Sequence, residues 1–95
     1  MEHKIPSKHS VDVSKSMISR LNRIEGQIRG IKKMIENETY CDDVINQIEA
    51  SRSALKSIEI ILLESHIQNC VVDQIREGDN DVVSEVLATL KKMVK

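Results

Sequence analysis

Apolar residues recur at helical spacing in the first third of the chain, and charged or polar residues fill the positions between them. The apolar residues follow one another at intervals of four, three, four, three and four positions: Met17, Leu21, Ile24, Ile28, Ile31 and Ile35. The pattern predicts a first helix from about Asp12 or Ser14, either of which can cap it, to about Asn37. Its apolar residues form a seam for packing on another helix.

A second apolar pattern predicts a long helix that begins near Cys41 and ends near Arg76, with Gly78 as the residue that stops it. Its inner seam consists of Val44, Ile48, Leu55, Ile58 and Leu62. Between Ile58 and Leu63 five of six residues are apolar, which is more than a two-helix hairpin can bury. We therefore expect two chains to meet at this segment.

The last apolar pattern predicts a short third helix from about Asp81 to Val94, capped by Asp79 or Asn80. Its apolar residues lie on one side: Val83, Val86, Leu87, Leu90 and Val94. The predicted fold class is therefore all-α, with two long helices and a short C-terminal one. Residues 13–95 are expected to form one domain, and residues 1–12 a flexible N-terminal arm.

The composition supports a helical fold and adds the expectation of an oligomer. The 95 residues include three glycines, one proline, one tyrosine and no tryptophan or phenylalanine. A chain this short, with a core made only of aliphatic side chains, buries little surface alone, so oligomerisation is the expected remedy. The sequence shows no signal peptide and no apolar run long enough to span a membrane, which favours the cytosol.

The net charge of −1 is unevenly distributed along the chain. Residues 1–36 carry eight Lys or Arg and four Asp or Glu. Residues 37–81 carry three Lys or Arg and ten Asp or Glu. A basic first helix beside an acidic second one can present a surface to an anion. Solvated helix faces with no partner are the alternative.

Three residues carry the candidate chemistry: Cys41, His66 and Cys70. His66 and Cys70 are four residues apart, so on a helix they share a face and can reach one ion. Cys41 lies 25 residues before His66, which is about 37 Å along a continuous helix. A second chain that runs antiparallel brings its Cys41 to this pair, so the spacing predicts two equivalent sites in a twofold dimer.

Two thiolates and one imidazole are a soft ligand set that suits Cu(I) or Zn(II). Zn(II) usually takes a fourth ligand, whereas three ligands suffice for Cu(I). His3 and His9 in the arm are further candidate ligands. An ordinary helical His/Cys pair without a metal is the alternative. The sequence has no C-x-x-C, no glycine-rich phosphate loop and no Gly-flanked nucleophile, so an enzyme is not expected. It also shows no helix-turn-helix.

Three segments resemble the copper-sensitive operon repressor family: Arg20–Gly30 (RLNRIEGQIRG), Tyr40–Val44 (YCDDV), and His66 with Cys70. The resemblance spans about residues 15–94. It implies a small all-α protein without a helix-turn-helix, which forms an antiparallel dimer and a dimer-of-dimers tetramer. Such proteins hold operator DNA in the apo form, repress copper-efflux genes and leave the DNA when Cu(I) binds.

The resemblance also implies residue roles. One Cu(I) per protomer would be held by Cys41 from one subunit and by His66 and Cys70 from the other. Tyr40 and Glu85 match residues around the ligands, and Arg20 matches a DNA contact on the first helix. The family has a second such arginine on its middle helix, but Ile60 occupies the corresponding position in this chain. The other candidate DNA contacts are basic residues of the first two helices: Arg23, Arg29, Lys32, Lys33, Arg52 and Lys56.

The ligand set distinguishes between branches of the family. Cys70 disfavours the nickel/cobalt sensors and the formaldehyde sensors, and His66 disfavours the persulfide sensors. The spacing of His9 from Cys41 is similar to that of the arm histidine in nickel sensors. A metal other than copper is therefore an alternative. A persulfide- or thiol-sensing repressor and a copper buffer that does not bind DNA remain the alternative functions.

Overall fold

A computed structural model describes residues 8–94. These residues form helices and no strand, which confirms the all-α prediction. The helices are α1 (Val11–Glu36), α2 (Cys41–His66), α3 (Val72–Arg76) and α4 (Asp81–Met93). A π-helical turn, Ile67–Val71, joins α2 to α3 without a break in the helical path. No helix in the described range is long and apolar enough to cross a membrane.

α1 begins earlier than its apolar pattern predicts. Ser10 is the N-cap, and its hydroxyl accepts a hydrogen bond from the backbone N–H of Val13 at 3.1 Å. The predicted caps Asp12 and Ser14 were wrong, since both lie inside the helix. Because the apolar seam starts only at Met17, its period does not specify which polar residue before it caps the helix.

α1 and α3 end in the same backbone motif. After α1, the N–H of Glu38 bonds to the carbonyl of Ile35 and that of Thr39 to Met34. After α3, the N–H of Gly78 bonds to Ile75 and that of Asp79 to Gln74. This is the Schellman pattern, whose turning residue takes a positive φ: 55° at Glu38 and 92° at Gly78. The prediction that Gly78 stops the second helical stretch is confirmed.

The backbone separates into two compact units, and the first is Ser10–Leu62. Its buried apolar residues are Ile24 on α1 and Ile58 on α2. A polar contact joins the same two helices, since Ser51 Oγ donates to Gln27 Oε1 at 2.9 Å. Ser51 is only 6% exposed, so this hydrogen bond is largely shielded from water.

The second unit begins at Leu63 and includes His9. Its buried residues are Ser65, Cys70, Val71 and Val82. At the start of α4 the Asp79 carboxylate accepts a hydrogen bond from the N–H of Asp81 at 3.1 Å, whereas Asn80, in the cap position, makes no side-chain cap. The division into units leaves the assignment of residues 13–95 to one domain a prediction. Of the predicted arm, residues 1–7 lie outside the described range.

The π turn interrupts the α-helical geometry of the predicted second helix. The N–H of Val72 bonds to the carbonyl of Ile67, five residues back rather than four. The turn contains Ile67, Asn69 and Val71, which are poorer helix formers than leucine or alanine. The apolar spacing continues through this segment, so the pattern predicts only a continuous helix. π turns often occur at functional sites, and this one contains Cys70.

The predicted seams lie on the helices as expected, but most of their residues are exposed in the single chain. The only buried apolar residue on α1 is Ile24, and the only one on α2 is Ile58. The exposed members are Leu21, Ile28, Ile35, Ile48, Leu55 and Leu62. Ile60, in the segment where two chains are predicted to meet, is also exposed.

Candidate metal centre

Cys41 is the first residue of α2 and is exposed as a free thiol. Tyr40 precedes it and is 71% exposed. Asp42 and Asp43 follow in the first turn, where the helix dipole stabilises negative charge.

His66 and Cys70 lie at the other end of the helix. His66 is the last residue of α2 and is half-buried, and Cys70 lies in the π turn as a free thiol that is 9% exposed. Val71 beside it is buried as well. The pair therefore combines an imidazole and a thiol in a partly apolar setting, which suits a soft metal ion.

The length of α2 separates these ligands within one chain. Its 26 residues correspond to about 39 Å, with Cys41 at the first position and His66 at the last. Within residues 8–94, no group of three or more His, Cys, Asp or Glu side chains is arranged to hold a metal ion. A site that uses Cys41, His66 and Cys70 together therefore needs Cys41 from a second chain.

The candidate DNA contacts are all exposed, as phosphate binding requires. Arg20 Nε donates to Ser16 Oγ at 3.4 Å on the same helix. Arg52 on α2 lies 3.5 Å from the carboxylate of Glu49, which offsets its charge. The remaining candidates are Arg23, Arg29, Lys32 and Lys33 on α1 and Lys56 on α2.

The five candidate DNA contacts on α1 do not share one face. At 3.6 residues per turn, Arg20 and Arg23 lie together on one flank of the apolar seam. Arg29 and Lys33 lie together on the side away from the seam, and Lys32 lies on the opposite flank. One straight DNA surface therefore cannot contact all five at once.

Sequence reasoning missed a polar cluster beside the ligand pair. His9 Nδ1 is hydrogen-bonded to Ser65 Oγ, and Asn69 Nδ2 donates to the same oxygen at 3.1 Å. Sequence reasoning placed His9 only among the candidate ligands and provided no signal for Ser65 or Asn69. A contact between residues 56 positions apart leaves no periodic trace in the sequence. Glu85, the other residue implied near the ligands, is exposed on α4.

The described fold agrees with comparisons to known proteins. A family model for metal-sensitive transcriptional repressors matches residues 13–93. The chain belongs to the metal-sensitive transcriptional repressor family. This confirms the family resemblance stated from the sequence.

Two curated members of the metal-sensitive transcriptional repressor family are copper sensors. The copper-sensing transcriptional repressor CsoR of Bacillus subtilis (strain 168) is 43% identical over 95 residues, which cover 99% of this chain and 94% of the relative. The copper-sensing transcriptional repressor RicR of Mycobacterium tuberculosis (strain ATCC 25618 / H37Rv) is 42% identical over 79 residues, which cover 80% of this chain and 82% of the relative.

Two solved structures share the fold. The copper-sensing repressor CsoR with Cu(I) from Geobacillus thermodenitrificans NG80-2 matches with a TM-score of 0.88 and 35% identity, over 100% of both chains. The nickel-responsive transcriptional regulator InrS matches with a TM-score of 0.64 and 32% identity, over 97% of this chain and 96% of InrS. Both a copper and a nickel sensor therefore share this backbone, so the fold alone does not select the metal.

Proposed function

We propose that the protein is a Cu(I)-responsive transcriptional repressor, which holds operator DNA in the apo form and releases it on binding Cu(I), so that copper efflux and resistance genes are expressed. The observation that carries the proposal is the position of one free thiol at the start of α2, and of an imidazole at its end with a second free thiol in the π turn that follows. The similarity to copper-sensing repressors supports copper over other metals.

The donor set fits Cu(I). Cys41 from one subunit, with His66 and Cys70 from the other, would hold one ion per protomer. Both cysteines are free thiols, and Cys70 is buried next to Val71, away from bulk water. Three soft donors in such surroundings suit Cu(I), while Zn(II) usually requires a fourth ligand. Bound at these residues, the ion supplies a link between two chains.

The exposed apolar residues support an antiparallel dimer that assembles into a dimer-of-dimers tetramer. Leu21 and Ile28 on α1, and Leu55, Ile60 and Leu62 on α2, are all large and exposed in the single chain. Large apolar side chains that are exposed in this number indicate a protein interface in water. An antiparallel arrangement of two copies of α2 also brings each Cys41 to the His66 and Cys70 of the other chain.

The basic residues of α1 support binding to operator DNA through phosphate groups. Their charges are exposed, and contacts of this kind make affinity fall steeply with salt. For copper to release DNA, the ion must bind the free protein more tightly than the DNA-bound protein. DNA must then weaken copper binding by the same factor. The protein acts by binding rather than catalysis, in the cytoplasm with its operator.

The test combines an anaerobic Cu(I) titration against a competing chelator with DNA release measured by fluorescence anisotropy. The wild-type protein should take up one ion per chain and release DNA, and Cys41→Ala should lose tight uptake. His66→Ala should still bind copper through its thiolates and fail to release DNA. Normal copper-induced release by His66→Ala would contradict the switch.

Two other outcomes would identify the alternative functions. Tight copper binding with no effect on a promoter fragment would indicate a copper buffer. DNA release by polysulfide, with a Cys41–Cys70 crosslink between chains in the mass spectrum and weak Cu(I) uptake, would indicate a thiol sensor.

A further inference from the structure

A polar strip runs along α1 next to Ile24, the buried apolar residue of that helix. Arg20, Arg23 and Gln27 follow one another at intervals of three and four residues, so their side chains share one side of the helix. Arg20 Nε donates to Ser16 Oγ at 3.4 Å, one turn earlier on the same strip. Two candidate DNA contacts and Gln27 therefore lie on the same side of α1.

Gln27 is the residue of this strip that contacts α2. Its Oε1 accepts a hydrogen bond from Ser51 Oγ at 2.9 Å. Ser51 is 6% exposed and Gln27 is half-buried, so neither group could replace its partner fully with water if the bond broke. The bond therefore holds Gln27 at one point on α2.

Apolar contact alone does not fix how α1 is rotated about its own axis. The burial of Ile24 and Ile58 is favourable but non-directional, so it tolerates a small rotation. The Ser51 hydrogen bond is directional and resists such a rotation. At a helix radius of about 5–6 Å including side chains, a rotation of about 20° moves the end of a side chain by about 2 Å. A shift of that size is enough to break a hydrogen bond between an arginine and a phosphate.

We propose that Gln27 and Ser51 are positioning residues, whose hydrogen bond sets the rotation of α1 and thereby directs Arg20 and Arg23 toward operator DNA. Neither Gln27 nor Ser51 needs to touch the DNA, since both act through the two arginines. This inference rests on the proposed function, because the two arginines must bind operator phosphates.

The test measures operator affinity by fluorescence anisotropy for variants that remove the bond from either end or from both ends. Ser51→Ala leaves the glutamine without its donor, and Gln27→Met leaves the buried hydroxyl without its acceptor. Gln27→Met/Ser51→Ala leaves neither group unpaired, and such paired apolar replacements cost little stability, so this double variant separates lost positioning from lost stability. Gln47→Met is the matched control, because it makes the same exchange at an exposed residue of α2.

Both single variants and the double variant should bind the operator about fivefold more weakly, the equilibrium factor that corresponds to one typical side-chain hydrogen bond. Urea unfolding should show lower stability for the single variants and stability close to the wild type for the double variant. Gln47→Met should match the wild type in both measurements. When Arg20 and Arg23 are already alanine, Ser51→Ala should weaken operator binding no further, because it acts only through those side chains.

Wild-type operator affinity in the double variant would overturn the proposal, since the bond would then affect stability alone. The same loss of affinity from Ser51→Ala with and without the two arginines would also overturn it, because the effect would then bypass them.

A second readout needs no DNA. The Nε–H signals of Arg20 and Arg23 in the NMR spectrum of the free protein should shift in the double variant and stay unchanged in Gln47→Met. Unchanged signals in the double variant would overturn the positioning role. If the wild type did not bind the operator, the proposed function would fail, while these signals would still decide whether the bond sets the rotation of α1.

Discussion

Cys41 and His66 are the first and last residues of one 26-residue helix. The helix holds them at opposite ends, about 37 Å apart at 1.5 Å per residue. Neither can reach an ion held by the other within one chain. The same rigidity makes a second, antiparallel chain a suitable source of the missing ligand, since its ends coincide with those of the first.

A shared site predicts that two inactive chains restore copper binding when they are mixed. Cys41→Ala lacks one ligand, and a His66→Ala/Cys70→Ala chain lacks the other two. In a mixed antiparallel dimer, Cys41 of the second chain meets His66 and Cys70 of the first, so one of the two sites is complete. Each variant alone should therefore show no tight Cu(I) uptake. In mixed dimers about half of the sites should bind Cu(I) tightly.

The measurement is a chelator competition on the two variants before and after they are unfolded and refolded together. Each variant refolded alone is the control. A site built within one chain could not be restored by mixing, so the absence of recovered uptake in demonstrated mixed dimers would contradict the shared site.

The hydrogen bond from Ser51 to Gln27 predicts a stability effect at the α1–α2 contact. Ser51→Ala removes a buried donor and leaves the half-buried Gln27 amide without this partner, which should cost about 1 kcal/mol in the free energy of unfolding. Ser57→Ala, whose exposed hydroxyl donates only to its own helix, should change it by less than about 0.5 kcal/mol. Urea unfolding at one fixed protein concentration compares the variants, because oligomers gain stability with concentration. Equal unfolding midpoints for the two variants would show that the buried bond contributes nothing specific.

The contact between Ser51 and Gln27 also shows which features the sequence does not specify. The beginning of the second helix at Cys41 and its stop at Gly78 are local, because polar links and a glycine mark them. The pairing of a serine with a glutamine on another helix depends on how the two helices pack, and either side chain could equally face water. The His9–Ser65 contact was missed for the same reason.

The candidate ligands were predictable for a different reason. Cysteine and histidine are chemically distinctive, and the positions of Cys41, His66 and Cys70 could be placed on a helix by counting residues. The π turn around Cys70 was not predictable, since Ile67 and Val71 continue the apolar pattern while the hydrogen bonds shift by one residue. The helical period also does not specify what covers the exposed seams.

The two Schellman motifs predict substitutions of opposite effect. Glu38 has a φ of 55°, a conformation that is strained for a residue with a Cβ. Glu38→Gly relieves this strain but loses more backbone entropy on folding, so the net stabilisation should be about 0.5 kcal/mol. Gly78→Ala introduces the same strain at a φ of 92° and should destabilise by about 1 kcal/mol or more. Thermal unfolding followed by circular dichroism measures both. A lower melting temperature for Glu38→Gly would show that contacts of the glutamate outweigh its backbone strain.

The arrangement of charges on α1 predicts which basic residues bind DNA. Arg20 and Arg23 share one flank of the seam, and Arg29 and Lys33 share the side away from it. Since the sequence resemblance implies that Arg20 contacts DNA, Arg20→Ala/Arg23→Ala should weaken operator binding and reduce the slope of log affinity against log salt by about 2 for each protomer that contacts the DNA. Arg29→Ala/Lys33→Ala removes the same charge and should leave that slope nearly unchanged.

Fluorescence anisotropy of a labelled operator fragment at several salt concentrations measures both slopes. The pair of double variants is matched, because each removes two exposed cations from one helix and changes the net charge equally. A general electrostatic effect would therefore lower both affinities alike, whereas direct phosphate contacts alter the slope for one pair. If Arg29→Ala/Lys33→Ala gave the larger change in slope, DNA would bind the side of α1 away from the seam.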